Sequence, residues 1–172
     1  MKQSSASSLV FFGIVIALIA GVGGLLYANK NKNSGIAGAY SSSTLSSSES
    51  SYDFGTVSMA KGNVSRMFSL KNEGQEPVAI TKVYTSCMCT TASLIDAAGA
   101  RKGYFGMPGH GGGSSGANAV IQPGETMQVE AVFDPAAHGP SGVGLAQRSI
   151  YIETNSRTKP KVEFSFTANV TP

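Results

Sequence analysis

Apolar and polar residues alternate with a period of two through much of the C-terminal two thirds of the chain. Apolar side chains stand at every second position of residues 162–170, and the same period recurs in 127–133 and in 148–152. Successive side chains of a strand point to opposite faces, so this period indicates strands that bury one face. Turn-forming Gly, Asn and Pro separate further predicted strands at 52–59, 64–71, 77–85 and 88–94. Seven short strands predict an all-β, immunoglobulin-like seven-stranded β-sandwich over residues 52–172.

A long apolar run precedes this domain. Residues 9–27 contain no charged residue and no Asn, Gln, Ser or Thr. As a helix, the run would span about 28 Å, close to the thickness of the hydrocarbon core of a bilayer. A cleaved signal peptide is one interpretation, because residues 37–39 resemble a cleavage site, and a buried core helix is another. We favour an uncleaved transmembrane signal anchor over residues 9–28, which contacts the lipid bilayer and follows a short stub, residues 1–8.

Residues 29–51 are predicted to form a flexible Ser-rich linker. Eight of the eleven residues in 41–51 are serine. Such a segment buries too little apolar surface to fold and should behave as a flexible coil. Lysines lie on both sides of the apolar run and do not decide its orientation. We expect a single-pass protein of the cell membrane with its sandwich outside the cytoplasm.

Charge and motifs exclude several functional classes. Only 13% of the chain is charged, and residues 52–172 hold ten basic and nine acidic residues. This near-neutral domain lacks the basic surface of a nucleic-acid-binding protein. A nucleophile elbow and a phosphate-binding loop are also missing from the sequence. We therefore predict a non-catalytic binding or structural module, with a protein partner at a sandwich edge or at the loops.

Cys87 and Cys89 are the only cysteines. Two residues apart in a strand, their side chains would share one face. Three interpretations stay open. The pair could be inert buried thiols, two thiolates that hold a soft metal ion, or a redox pair, although a disulfide over this spacing is geometrically awkward.

Other soft donors lie in two Gly-rich segments. Met107 and His110 belong to a long Gly-rich insertion at about 97–119, and His138 lies in a Pro/Gly turn. A set of donors with soft sulfur and imidazole nitrogen favours copper(I), whereas the spacing matches no zinc finger. The alternative function is therefore a copper-handling, metal-binding protein, and a weaker alternative is a cysteine redox partner. The candidate ligands are Cys87, Cys89, Met107, His110 and His138. A histidine in a Gly-rich loop can equally be an ordinary solvated residue.

Several motifs resemble a known family when they are taken in order. They are Tyr-Asp-Phe-Gly-Thr-Val at 52–57, Phe-Ser-Leu-Lys-Asn-Glu-Gly at 68–74, Cys-Met-Cys-Thr-Thr at 87–91, Ile-Gln-Pro-Gly-Glu at 121–125 and Thr-Asn at 154–155. The order resembles the bacterial domain of unknown function 1573, an Ig-like family related to Hydin-type domains. The resemblance implies a seven-stranded sandwich, often outside the cytoplasm behind a membrane anchor or signal, with no established catalytic activity. Family members usually have Cys-Gly-Cys where this chain has Met88, and the family pattern does not explain the insertion.

Overall fold

The segments with a period of two form strands in the computed structural model, which describes residues 39–110 and 116–172. Two short 3-10 turns, Met59–Lys61 and Gly139–Gly142, are the helical elements of this part of the chain. The strands in chain order are β1 Leu45–Ser46, β2 Ser51–Ser58, β3 Val64–Asn72, β4 Val78–Thr85, β5 Thr90–Ile95, β6 Arg101–Phe105, β7 Gly116–Ile121, β8 Thr126–Phe133, β9 Gly144–Thr154 and β10 Lys161–Thr171.

Ten strands form two five-stranded sheets. The first sheet has the order β1-β3-β8-β5-β6, and the second has the order β2-β10-β9-β4-β7. Neighbouring strands are antiparallel, except that β2 runs parallel to β10. The predicted all-β, two-sheet sandwich is confirmed, while the predicted number of seven strands is too low.

The core lies between the inner faces of the two sheets. The Phe68 ring from β3 stacks on the Phe164 ring from β10, with 4.7 Å between the ring centres. The Phe133 ring from β8 meets the Phe166 ring from β10 at 5.3 Å. Each fully buried phenylalanine contributes about 1.5–3 kcal/mol relative to an exposed one. The apolar residues that alternate in the sequence therefore form one continuous core between the two sheets.

The predicted Gly-rich insertion at about 97–119 is not simply a loop. Its described residues contribute β6, which pairs with β5 at the edge of the first sheet, and the start of β7, which pairs with β4 at the edge of the second. Phe105 and Ile121 at the ends of these strands are buried. The insertion thus adds one edge strand to each sheet, which accounts for two of the strands that the sequence pattern missed.

Within the predicted flexible linker, residues 29–51, the structure shows a packed segment. Residues 41–46, here called the N-terminal strap, pack against the sandwich, with Ser41, Ser43 and Leu45 buried. The Ser43 hydroxyl donates to the Glu76 carbonyl at 2.7 Å and accepts from the Glu76 amide at 2.8 Å. These hydrogen bonds replace the apolar burial that a serine run lacks. Residues 29–38 of the predicted linker lie outside the described residues.

A glycine in the turn after β3 makes room for the strap. A Cβ atom on Gly74 would lie 2.2 Å from the Ser43 hydroxyl oxygen and 2.6 Å from the Ser43 Cα. Since the second of these atoms belongs to the backbone, a side chain at position 74 would push the whole strap away. The Asn-Glu-Gly turn signal of the sequence therefore has a second role in packing.

The segments predicted to contact the membrane lie ahead of the sandwich in the chain. Residues 39–110 and 116–172 contain no helix that is both long enough and apolar enough to cross a membrane. The predicted stub, residues 1–8, and the predicted anchor, residues 9–28, lie outside the described residues.

Candidate metal centre

The two cysteines lie in the tight turn that carries the chain from the second sheet to the first. This turn joins β4 to β5, and the Thr90 amide closes it on the Cys87 carbonyl at 3.1 Å. The Ser86 amide donates to the Ser149 carbonyl at 2.9 Å, which fixes the turn against β9. We expected the pair on one face of a strand, but β5 begins only at Thr90. The turn nevertheless brings the sulfurs together, and the Cys89 thiol donates to Cys87 Sγ at 2.7 Å.

His138 lies in another connection between the sheets at the same end of the sandwich, the one that joins β8 to β9. The β8–β9 connection starts beside the cysteine turn, because Thr90 pairs with Phe133 and the Asp134 amide donates to the Cys89 carbonyl at 2.9 Å. The Asp134 carboxylate then accepts the Ala136 amide at 2.9 Å, which folds the connection back. His138 Nε2 consequently lies 3.2 Å from Cys87 Sγ.

The result is a cluster of three soft donors, called here the Cys–Cys–His cluster. The ligand atoms of Cys87, Cys89 and His138 all lie within 4.8 Å of one another. Cys89 is buried, Cys87 is half-buried and His138 is exposed. The cluster is therefore anchored in the sandwich on the side of Cys89 and reaches solvent on the side of the imidazole.

An arginine that was not among the predicted ligands contacts the cluster. Arg148 on β9 donates from Nε to Cys89 Sγ at 3.0 Å. Its side chain lies on the same, core-facing side of β9 as those of Ala146 and Ile150, which are both buried. A charged residue in register with the apolar positions of a strand was the signal that could have identified it, because such a residue is rarely buried without a partner.

The groups around the two thiols shift their pKa values in opposite directions. Partial burial alone would raise the pKa of Cys87. Hydrogen bonds from the Cys89 thiol and amide and from His138, with the charge of Arg148, instead lower this pKa to about 7. Burial, followed by the hydrogen bond to Cys87, raises the pKa of Cys89 against the opposing effect of Arg148. Near neutral pH the pair therefore contains one partly ionised sulfur, Cys87, and one protonated sulfur, Cys89.

We expect alkylation of Cys87 to reach half of its maximal rate near pH 7, lower than the usual value for a cysteine of about 8.5. The thiolate is the reactive form, so the rate should rise through this pH and fall below it. Iodoacetamide labelling of the reduced, metal-free chain between pH 5 and 10, read by mass spectrometry, measures the profile. The Cys87→Ser variant keeps only Cys89 and should react at higher pH. A midpoint for Cys87 at or above 8.5 would contradict the prediction.

Met88, between the two cysteines, is half exposed. In the described residues Asn118 is the one non-glycine residue with a positive φ, so the backbone at Met88 does not need glycine. This explains how the chain tolerates methionine where the resembling family usually has Cys-Gly-Cys.

The other two predicted ligands, Met107 and His110, follow β6 in the chain. His110 is exposed, donates its amide to the Met107 carbonyl at 3.3 Å and is absent from the cluster formed by the described residues. Met107 follows Gly106, whose carbonyl accepts the Thr85 amide at 3.2 Å. The backbone before Met107 thus runs beside the end of β4, and the cluster of cysteine and histidine side chains in the described residues contains Cys87, Cys89 and His138.

A serine-histidine-aspartate arrangement is not formed near His138. The Ser141 hydroxyl donates to the backbone carbonyl of His138 at 2.7 Å, not to its ring. The Asp134 carboxylate is occupied by the Ala136 amide. In the described part of the chain, no carboxylate contacts the His138 ring to orient it, as the aspartate of a catalytic triad would.

The fold and the cluster define a two-sheet β-sandwich with a vicinal thiol pair and a histidine at one end. The family described as "Protein of unknown function (DUF1573)" matches residues 45–102. This match supports the resemblance found in the sequence motifs. It includes the N-terminal strap from Leu45 and the cysteine turn but ends before His138 and Arg148. No curated protein matches the chain.

Solved structures with a similar fold share little sequence with this chain. A protein of unknown function from Porphyromonas gingivalis W83 is 16% identical with a TM-score of 0.54, over 77% of this chain and 48% of that protein. This chain therefore spans about half the length of that protein. The PapD-like domain 7 of human CEP192 is 16% identical with a TM-score of 0.45, over 76% of this chain and 87% of that domain. The periplasmic chaperone SfaE is 4% identical with a TM-score of 0.39, covering 75% and 59%. The fold likeness rests on the first of these.

Proposed function

We propose that this chain is a membrane-anchored, extracytoplasmic binding module of the Ig-like type that holds a copper(I) ion at Cys87, Cys89 and His138 and catalyses no reaction. One observation carries the proposal. Two turns that are far apart in sequence deliver two sulfurs and an imidazole nitrogen to within 4.8 Å of one another. Thiolate sulfur and imidazole nitrogen are the donors that soft, monovalent copper prefers.

The dimensions of the cluster suit a single ion. Donor atoms that share one metal ion lie roughly 3.5–4 Å apart when each bond is about 2.0–2.3 Å long. The distance from Cys87 Sγ to His138 Nε2 is 3.2 Å, and the distance between the sulfurs is 2.7 Å. The sulfurs would have to separate by about 1 Å, which rotation of the cysteine side chains supplies. The exposed imidazole leaves a route for the ion from solvent.

The apolar run at 9–27 supports the anchor and the extracytoplasmic placement. The absence of a carboxylate on the His138 ring, within the described residues, favours binding over acid–base catalysis. A protein partner at a sheet edge stays a prediction. Of the edge strands, β6 has four exposed residues out of five.

A titration of the full chain with copper(I) tests the proposal. The chain is purified in mild detergent, reduced, and titrated without oxygen against a chromophoric copper(I) chelator. We expect one copper per chain. Stoichiometric binding should disappear in the double variant Cys87→Ser, Cys89→Ser, and the affinity should fall at least about tenfold in His138→Ala, as for other losses around a metal.

A matched variant guards against unspecific effects. His110→Ala removes the other histidine, which lies outside the cluster, and should bind copper as the unmodified chain does. Unchanged binding in the double cysteine variant would overturn the proposal.

The 2.7 Å approach of the sulfurs also favours a second candidate, the cysteine redox partner. Mass spectrometry of the chain as isolated separates the two. A mass lower by two hydrogens would indicate a disulfide between the cysteines, whereas an additional copper mass under native conditions supports the metal site.

A further inference from the structure

Arg148 contacts the Cys–Cys–His cluster from inside the sandwich. Its Nε donates to Cys89 Sγ at 3.0 Å, and its terminal Nη1 donates to the Gln147 carbonyl at 2.8 Å. These two bonds orient the guanidinium plane against the deeper of the two sulfurs. Among the charged side chains of the described residues, Arg148 is the one that contacts the sulfurs.

The position of this arginine needs an explanation. Strand β9 places Arg148 between Ala146 and Ile150, on the face that forms the core. A half-buried guanidinium retains its charge in a protein, and removing that charge from water is unfavourable unless a negative group faces it. The nearest sulfur is that of Cys89, which carries a negative charge only as a thiolate, the form in which a cysteine binds a metal ion.

The charges around a bound ion supply that explanation. Cysteines bind a metal ion as thiolates, and the ion's own charge must be counted with theirs. Copper(I) with two thiolates and a neutral imidazole carries one negative charge, which the single positive charge of Arg148 balances. Zinc(II) with the same ligands is already neutral, so Arg148 leaves an excess positive charge. Zinc also takes four ligands in closed sites, and the cluster offers three.

Building on the proposed copper site, we infer that Arg148 is the specificity-determining residue of the Cys–Cys–His cluster, which it sets for a monovalent soft cation over a divalent one. Arg148 acts through Cys89 and does not bind the metal. Its hydrogen bond occupies one lone pair of the buried sulfur, and its charge stabilises the anionic copper(I) complex. The charge balance predicts that removing the positive charge weakens copper(I) binding and leaves zinc(II) binding equal or stronger.

Paired titrations of the full chain in detergent, reduced and without oxygen, test this inference with copper(I) and with zinc(II) as separate probes. In Arg148→Gln, which keeps an N–H donor but removes the charge, we expect the copper-to-zinc affinity ratio to fall at least about tenfold. Arg148→Lys keeps the charge and should restore most of the ratio. Arg101→Gln makes the same change of net charge on β6 and should leave the ratio unchanged.

The outcomes are distinguishable. If the unmodified chain binds no copper(I), the proposed function fails and the inference fails with it. If it binds copper(I) but Arg148→Gln changes both affinities equally or neither, the inference alone is overturned, because a merely structural arginine would not alter the ratio. Circular dichroism checks that each variant is folded. Should Arg148→Gln not fold, Arg148→Lys decides, and a ratio as low as that expected without the charge would overturn the inference.

Discussion

Replacement of Phe164 by alanine is expected to lower the free energy of unfolding by about 3–5 kcal/mol. The Phe164 side chain is completely buried, and its ring stacks on Phe68 across the two sheets, with 13° between the ring planes. Removing the ring leaves a cavity between the layers as well as lost apolar burial. Urea denaturation followed by far-ultraviolet circular dichroism, extrapolated to zero urea, measures the change.

An exposed aromatic residue provides the matched control. Tyr104 on β6 is 61% exposed, so Tyr104→Ala should change the free energy of unfolding by no more than about 0.5 kcal/mol. A double-mutant cycle with Phe68→Ala should give a coupling of about 0.5–1.5 kcal/mol for the stacked pair. A loss below about 1 kcal/mol in Phe164→Ala would mean that the two sheets do not share this core.

Asn72→Ala is the second change with a large expected effect, a loss of about 3 kcal/mol or more in the free energy of unfolding. The fully buried amide of Asn72 donates to the Glu76 carbonyl at 2.8 Å and to the Ile121 carbonyl at 3.0 Å, and its oxygen accepts the Gly74 amide at 3.0 Å. Alanine would remove the side-chain partner of the Ile121 carbonyl and of the Gly74 amide, and it would leave the Glu76 carbonyl with the Ser43 hydroxyl alone. Each such buried group costs about 1–3 kcal/mol.

The exposed Asn169 on β10 offers the corresponding control. Asn169→Ala removes the same side-chain atoms from a surface position and should stay within about 0.5 kcal/mol of the unmodified chain in the same urea experiment. Equal effects of the two substitutions would show that the hydrogen bonds of Asn72 do not stabilise the fold.

Side-chain period predicted the strands that bury one complete face. Strands β8, β9 and β10 follow that rule, since buried positions in each alternate with half-buried or exposed ones against a common core. Strands β1, β6 and β7 were missed, because β1 and β6 each bury only one residue and two of the three buried residues of β7 are alanines beside a Gly-rich segment. Leu45 and Ser46 of β1, for example, are defined by pairing with Asn72 and Lys71.

The candidate metal centre was predictable only where its residues are neighbours in sequence. The nearness of Cys87 and Cys89 follows from their spacing. His138 is separated from Cys87 by 51 positions, and the two meet because β5 pairs with β8 in a register that places Thr90 beside Phe133. A residue pattern does not contain that register. The composition of a Gly-rich loop, likewise, indicates conformational freedom but not where the loop leads. His110 was therefore predicted as a ligand although it lies outside the cluster.

The N-terminal strap and the cysteine turn lie at opposite ends of the sandwich. Ser41 bridges to Ser156, and Leu45 pairs with Asn72, at the end where β4 begins, whereas Cys87 follows the opposite end of β4. The eight residues of β4 separate these two poles by roughly 25 Å. Tension on the polypeptide ahead of Ser41 would therefore load serine hydrogen bonds at one pole and leave the sulfurs at the other undisturbed. If the proposed copper site is correct, a protein that exchanges metal with this domain would approach the pole remote from the N-terminal strap.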